Sequence, residues 1–350
     1  LQPKEIKIIS GELIAPKAIG KFILKITPQI LINDHLITQQ SSEQEVITIA
    51  PDIISNVSFN SNISYADQGL TIPLEVSWQN KSNYKIQNLR LILNANYPQV
   101  IDWHLTALNN NLTYQQNSLI ADSKKRTKLS DGRPGSNDKF IINLYLNNNF
   151  NLGQAEKTYL EITPAMETNL DSVADQKFFQ QGSKAQLPIA TQVNFTNETR
   201  YYSTTGDQLG RGPLPPQAGQ TTKYWISTQI YNTSNQLKDV SFKTSLPVGV
   251  ELTGKNSVTI GPQIKYNTNN KTITWNYSSL PSNSLTGIYF EVSVTPTANQ
   301  VGQKIQLTND FYFSATDDFT NKKFNLKQSG VDNILKKEDK GYWKGYLINL

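Results

Sequence analysis

Along most of the chain, apolar and polar residues alternate one by one. In "LEVSWQN", Leu74, Val76 and Trp78 share one side while Glu75, Ser77 and Gln79 share the other. The same two-residue period sets Leu89, Leu91 and Leu93 on one side, then Tyr224, Ile226, Thr228 and Ile230, then Val240 and Phe242. Later runs carry Ile273, Trp275 and Tyr277, then Ile288, Phe290, Val292 and Val294, then Ile305, Leu307, Phe311 and Phe313. Such alternation predicts strands with one buried face, whereas the three-and-four spacing of an amphipathic helix is almost absent. Asn80-Lys81-Ser82-Asn83 and Asn232-Thr233-Ser234-Asn235 follow a strand and precede another, so each predicts a hairpin turn. The fold class expected is all-β, built from two-sheet antiparallel sandwiches.

Self-similarity sets the expected organisation. Ile26-Thr27-Pro28, Ile162-Thr163-Pro164 and Val294-Thr295-Pro296 each close an apolar run. Their spacing of roughly 130 residues is that of one sandwich domain. The segment from Leu74 to Leu93 also resembles that from Tyr224 to Leu246. The layout predicted is the C-terminal strands of a partial domain over 1–50, a sandwich over 51–198 with an exposed loop insertion at 118–140, a sandwich over 199–330, and a tail over 331–350 with a possible strand. Pro164 and Pro296 are expected to end their strands, because proline cannot donate to a ladder.

Ahead of the last copy lies "TTGDQLGRGPLPPQAGQTTKYWIS", Thr204 to Ser227. A phosphate-cradling loop needs Gly-Lys-Ser/Thr entering a helix, but here prolines and a strand follow the glycines. The stretch reads instead as punctuation between repeats.

The runs "GQTTKYWI" (Gly219 to Ile226), "NTSNQLKDVSFKTSLPVGVELTG" (Asn232 to Gly254), "ITWNYSSL" (Ile273 to Leu280) and "FEVSVTPTANQVG" (Phe290 to Gly302) carry a family likeness. They resemble the conserved-repeat, immunoglobulin-like domains of large bacterial cell-surface proteins, especially uncharacterised ones of small-genome uncultured bacteria. The likeness covers nearly all of the last copy and, more loosely, the two before it. It implies tandem immunoglobulin-like sandwiches in an exported, extracellular stalk or surface layer, with no catalytic residues to carry over.

Composition narrows the chemistry. The 350 residues include no cysteine, which removes disulfides and thiolate nucleophiles, and only two histidines, His35 and His104. The net charge of +5 is spread along the chain. Its clusters, "SKKRTK" and "LKKEDK", read as solvated loops, so no nucleic-acid partner is expected. No apolar run approaches the roughly 18 residues of a membrane helix. The opening "LQPKEIKIIS" lacks a signal-peptide layout and a Met, so a processed or partial chain is expected.

Candidate sites are few. Asp131 and Asp138 in "LSDGRPGSND", and Asp317 and Asp318 in "NDFYFSATDDF", are oxygen ligands in turns and thus candidates for calcium; no other cofactor is implied. No carboxylate pair is singled out for glycoside hydrolysis, and an enzyme is not expected. Trp78, Trp103, Trp225 and Trp275 either fill the cores or stack on sugars. Asn62, Asn232 and Asn276 begin Asn-X-Ser/Thr triplets. In the tail, Tyr342, Trp343, Tyr346, Leu347 and Ile348 are candidates for self-assembly by strand addition to a neighbouring copy or domain. The expected function is a non-enzymatic structural or adhesive surface protein; the alternative is an array of carbohydrate-binding modules attaching to a cell wall or host glycan.

Overall fold

The structure is a computed structural model describing residues 8, 10–11, 20–48, 50–170, 173–337 and 339–350. Much of the expected partial domain, residues 1–7, 9 and 12–19, lies outside the described residues. Residues 20–48 form a two-stranded ribbon: β1 (Gly20–Ile26), β2 (Gln29–Ile32), β3 (His35–Thr38) and β4 (Ser42–Thr48). β1 pairs with β4 and β2 with β3, all antiparallel. The turn uses Asn33 and Asp34 at φ of 50° and 60°, the left-handed geometry that closes a tight hairpin. Lys21 and Lys25 pair across the ribbon with Glu45 and Glu43, while Ile23, Leu31, Leu36 and Ile47 remain exposed.

The central sandwich comprises β5 (Ile53–Phe59), β6 (Thr71–Asn80), β7 (Ile86–Ala95), α1 (Trp103–Asn109), β8 (Thr113–Gln115), β9 (Ser118–Ala121), β10 (Asn137–Tyr145), β11 (Tyr159–Leu170), β12 (Val173–Gln181) and β13 (Ala185–Pro188). One sheet has the order β10-β6-β5; the other runs β12-β11-β7-β9-β8, with β13 also on β11. Leu74, Val76 and Trp78 from the first sheet meet Leu91, Leu93, Ile162 and Met166 from the second in one buried cluster. Burying each such side chain contributes about 1.5–3 kcal/mol, which lets a cysteine-free sandwich hold.

The C-terminal sandwich comprises β14 (Val193–Arg200), β15 (Thr222–Asn232), β16 (Leu237–Ser245), β17 (Val250–Val258), β18 (Lys265–Asn267), β19 (Thr272–Leu280), β20 (Ser284–Val294), β21 (Phe311–Asp317) and β22 (Lys323–Gln328), followed by α2 (Asp339–Tyr342). Its sheets are β14-β15-β20-β17 and β18-β19-β16-β21-β22. Tyr224, Ile226, Phe242, Trp275, Phe290, Phe311 and Phe313 form the core. The chain is therefore all-β, with antiparallel sheets packed in pairs over two cores.

Several expectations are corrected. β14 belongs to the C-terminal sandwich, so the join falls at 190–192 and not at 198. The strand is polar, with Phe195 its buried apolar anchor, and so gives little periodic signal. β6 and β7 are not a hairpin: β6 pairs with β5 and β10, whereas β7 lies in the opposite sheet, and β15 and β16 part in the same way. Each connection is an arch across the sandwich, pinned by a buried asparagine. Asn80 Nδ2 donates to the carbonyls of Tyr84 and Gly132, both at 3.0 Å, and its Oδ1 accepts from the Ser82 N–H at 3.0 Å. Asn232 Nδ2 donates to the carbonyls of Asn235 and Pro281, both at 2.7 Å.

The Thr-Pro triplets occupy different sheets. Thr163-Pro164 lies within β11 beside β7, whereas Thr295-Pro296 follows β20, which pairs with β15. Pro164 does not end its strand. Its carbonyl accepts from the Gly182 N–H at 2.9 Å, so the donor it lacks would face the gap where the neighbour changes from β13 to β12.

The segment 118–140 is no exposed insertion. Leu119, Ile120, Ala121 and Leu129 are buried, and Gly132 packs so tightly on the Ile86 backbone that a Cβ there would lie 1.7 Å from its carbonyl oxygen. The glycine-rich stretch from Thr204 is likewise internal, joining β14 to β15 within one sheet. At Gly210 a Cβ would lie 2.4 Å from the Tyr201 ring, so the glycine permits the loop to close over that ring. "DWHL" forms the start of a helix whose N-cap, Asp102, accepts from the Leu105 N–H at 2.9 Å.

Candidate functional site

The densest buried polar network lies where the two sandwiches meet. Asp317, at the end of β21, is fully buried. Its Oδ2 accepts from the Thr191 N–H at 2.8 Å and from Asn235 Nδ2 at 3.0 Å. Its Oδ1 accepts from the N–H groups of Phe319 at 2.9 Å and Thr320 at 3.1 Å. A carboxylate with donors on both oxygens is satisfied without water, which is what burial of such a group requires.

Around it, Asn235 and Asp67 have partners on both sandwiches. Asn235 Nδ2 also donates to the Ile189 carbonyl at 2.9 Å, and its Oδ1 accepts from the Lys157 N–H at 3.0 Å. Thr191 Oγ1 donates to Asn232 Oδ1 at 2.9 Å and accepts from the Ser234 N–H at 3.0 Å. The β15–β16 arch of one sandwich thus receives the last residues of the other. Beside it, Asp67 bridges Gln192 Nε2 at 2.6 Å and Lys322 Nζ at 2.5 Å, with both members of the ion pair largely buried. Tyr159 and Phe319 meet edge to face at 5.2 Å between ring centroids.

This geometry revises the calcium candidates. Asp317 is not a turn ligand open to solvent, because its oxygens are held by the joint. Asp318 pairs with Lys238 at 3.3 Å. Asp131 faces Arg133 in a bidentate pair, 2.9 Å on each oxygen, and that guanidinium, with the Arg133 backbone N–H, holds its carboxyl down to about 2. Asp138 is buried on β10 with Lys128 at 3.6 Å. Among the described residues, no group of three or more His, Cys, Asp or Glu side chains is placed to hold a metal.

The tail is not a free strand. Ile348 is buried in the C-terminal core; its N–H donates to the Gln303 carbonyl at 3.1 Å and its carbonyl accepts from Gly302 at 2.9 Å. Asn349 exchanges backbone bonds with Pro216 and Ala218, and the Tyr346 carbonyl accepts from Asn333 Nδ2 at 2.6 Å. Of the self-assembly candidates, Tyr342, Trp343 and Leu347 face solvent, whereas Ile348 closes its own sandwich, because the apolar cluster over β14–β22 has an opening that it fills.

Trp78, Trp103 and Trp275 are buried, and Trp225 faces outward from β15. Of the triplet asparagines, Asn62 and Asn276 are exposed and Asn232 is fully buried. His35 sits on the exposed ribbon, and His104 packs edge-on to Tyr114 at 4.7 Å. Asp67, Thr191, Asn235 and Lys322 are not legible as a site in the sequence: they lie far apart along the chain, and only the Asn232–Asn235 turn chemistry marks one of them.

No protein-family model matches the chain, and no curated protein is similar to it. A chain from a crystal structure described as a novel type I cohesin–dockerin complex from Clostridium thermocellum aligns with 41% of this chain and 97% of its own length, at 14% identity and a TM-score of 0.24. That likeness is too slight to bear on function.

Proposed function

We propose that this chain is a non-enzymatic structural or adhesive protein of a bacterial cell surface, in which tandem immunoglobulin-like sandwiches form a stiff extracellular spacer. The observation supporting this reading is the buried joint around Asp317. Neighbouring domains in one chain move relative to each other unless their interface holds them. Here bending would pull the Thr191 N–H from Asp317 and part Asn235 from Ile189 and Lys157, which costs about 1–3 kcal/mol for each polar group left buried and unpaired. A spacer that holds its modules in fixed orientation needs that property. Further sandwiches of the same surface protein, or neighbouring copies, are the partners this reading implies.

Small-angle scattering tests it. The parent protein should fit a single fixed arrangement of the two sandwiches, and Asp317→Ala should fit only a range of arrangements. Scattering from the parent that already requires independently oriented sandwiches would overturn the reading.

A further inference from the structure

The sheet β14-β15-β20-β17 turns one face to the core and the other to solvent. On the core side lie Tyr224, Ile226, Ile288 and Phe290; on the outer side lie Trp225 and Tyr289, both half-buried. Cross-strand register sets a row over this face. Glu198 on β14 is opposite Ser227 on β15, Ser227 is opposite Tyr289 on β20, and Tyr289 is opposite Ser257 on β17. With strands about 4.8 Å apart, Glu198 and Tyr289 stand about 10 Å from each other, two strand spacings.

Tyr289 does not stand off the sheet. Two residues earlier on the same face is Gly287, and the ring lies back over it: a Cβ at Gly287 would be 2.4 Å from the Tyr289 hydroxyl and 2.5 Å from Cε2. The missing side chain lets the ring lie along the strand. Beside it is an open hollow of about 450 Å³ bordered by Trp225, Leu209, Arg200, Glu198 and Gln229. Arg200 Nε donates to Glu198 Oε1 at 2.7 Å, and Lys337 lies 3.1 Å from Oε2, so the carboxylate is oriented. A second carboxylate, Glu291, is opposite Trp225 and 1% exposed. Its Oε2 accepts from Thr253 Oγ1 at 2.8 Å, while its Oε1 has no hydrogen-bond donor and faces the Lys255 ammonium at 3.6 Å.

Flat aromatic rings among oriented carboxylate, guanidinium, amide and hydroxyl groups match one ligand chemistry. A pyranose offers an apolar C–H face and a rim of hydroxyls that both donate and accept. An apolar peptide would want more aliphatic surface than Leu209 supplies, and a polyanion would find Arg200 and Lys337 already engaged by Glu198. We propose that this outer face binds a neutral hexopyranose or pentopyranose chain, with Tyr289 and Trp225 stacking on sugar rings and Glu198, Arg200 and Gln229 bonding the hydroxyls. The site is independent of the stiff-spacer reading: scattering decides the joint, and ligand titration decides the face.

Isothermal titration of the full chain with cellohexaose, xylohexaose, maltohexaose and chitohexaose provides the test. At least one should bind, with Tyr289→Ala and Trp225→Ala each weakening it by about tenfold or more. Gly287→Ala, which drives the ring off the sheet, should weaken it similarly, and Trp343→Ala should leave it unchanged. Circular dichroism confirms that each variant is folded. Absence of binding to all four oligosaccharides would overturn the proposal, as would binding that survives Tyr289→Ala and Gly287→Ala in folded protein.

Discussion

The backbone N–H of Thr191 donates to Oδ2 of Asp317 at 2.8 Å, across 126 residues of sequence and from the join to the C-terminal sandwich. The same oxygen accepts from Asn235, so one carboxylate ties the link, the β15–β16 arch and the end of β21 together. Asp317→Ala removes the acceptor from four N–H donors at once. The expected cost is about 3 kcal/mol or more, read by urea denaturation. Asp318→Ala, on the neighbouring half-exposed ion pair, should cost under about 1 kcal/mol in the same experiment.

The two arches make a second comparison. Asn80→Ala strands the buried Gly132 carbonyl and Asn232→Ala the buried Asn235 carbonyl, and each should destabilise its own sandwich by about 2 kcal/mol. Hydrogen exchange resolved by peptide should show faster opening of β6 and β7 in the first variant and of β15 and β16 in the second.

Acid should reach Asp131 late. Its carboxyl is lowered from 3.8 to about 2 by the Arg133 side-chain hydrogen bond first and the Arg133 backbone N–H second. A depressed folded-state value means that the pair's contribution is complete above the ordinary carboxylate range and is lost as pH falls through about 2. Carboxyl-carbon NMR should place the Asp131 midpoint near 2, and Arg133→Gln should return it toward 3.8.

Chelation should be silent. Each of the four aspartates that the sequence offers for calcium already has a protein partner. EDTA or added calcium is therefore expected to leave the melting temperature unchanged; a calcium-dependent rise would return these residues to consideration.

The tail separates burial from appearance. Ile348→Ala should cost about 2–4 kcal/mol, since the side chain fills core volume. Trp343→Ala, although a larger truncation, should stay within about 0.5 kcal/mol, because the indole is 83% exposed. Thermal melts of the two variants check the contrast.

These features are legible in the sequence to different depths. Alternation places Leu74, Val76, Trp78, Tyr224, Phe242 and Trp275 on buried faces, because a strand's period depends only on its own residues. Which sheet a strand joins depends on partners far along the chain, and there the local signal misleads. Asn80 and Asn232 look like hairpin turn residues, yet each turns the chain from one sheet to the other. The Thr-Pro triplets look equivalent, yet Pro164 continues its strand where its neighbour changes and Pro296 follows the end of one. "NFTNETR" is too polar to look like a core strand, so it hides the join that precedes it. Asp317 looks like a turn carboxylate; two of its donors, residues 319 and 320, are local, but those at 191 and 235 come from distant chain that only the folded joint brings to it. Trp225 differs from Trp275 only in which side of its strand it occupies, and Gly287, which lets Tyr289 lie flat, has no local motif.

The ribbon of β1 to β4 has a further consequence for measurement. Among the described residues, its strands pair only with each other, both outer edges are unpaired, and apolar residues line both faces without a core beneath them. A lone two-stranded pair is marginal in water. In deuterated solvent its amides should be labelled within the earliest time points while β6, β15 and β20 remain protected, and a partner that sheathes the ribbon would announce itself as protection appearing between residues 20 and 48.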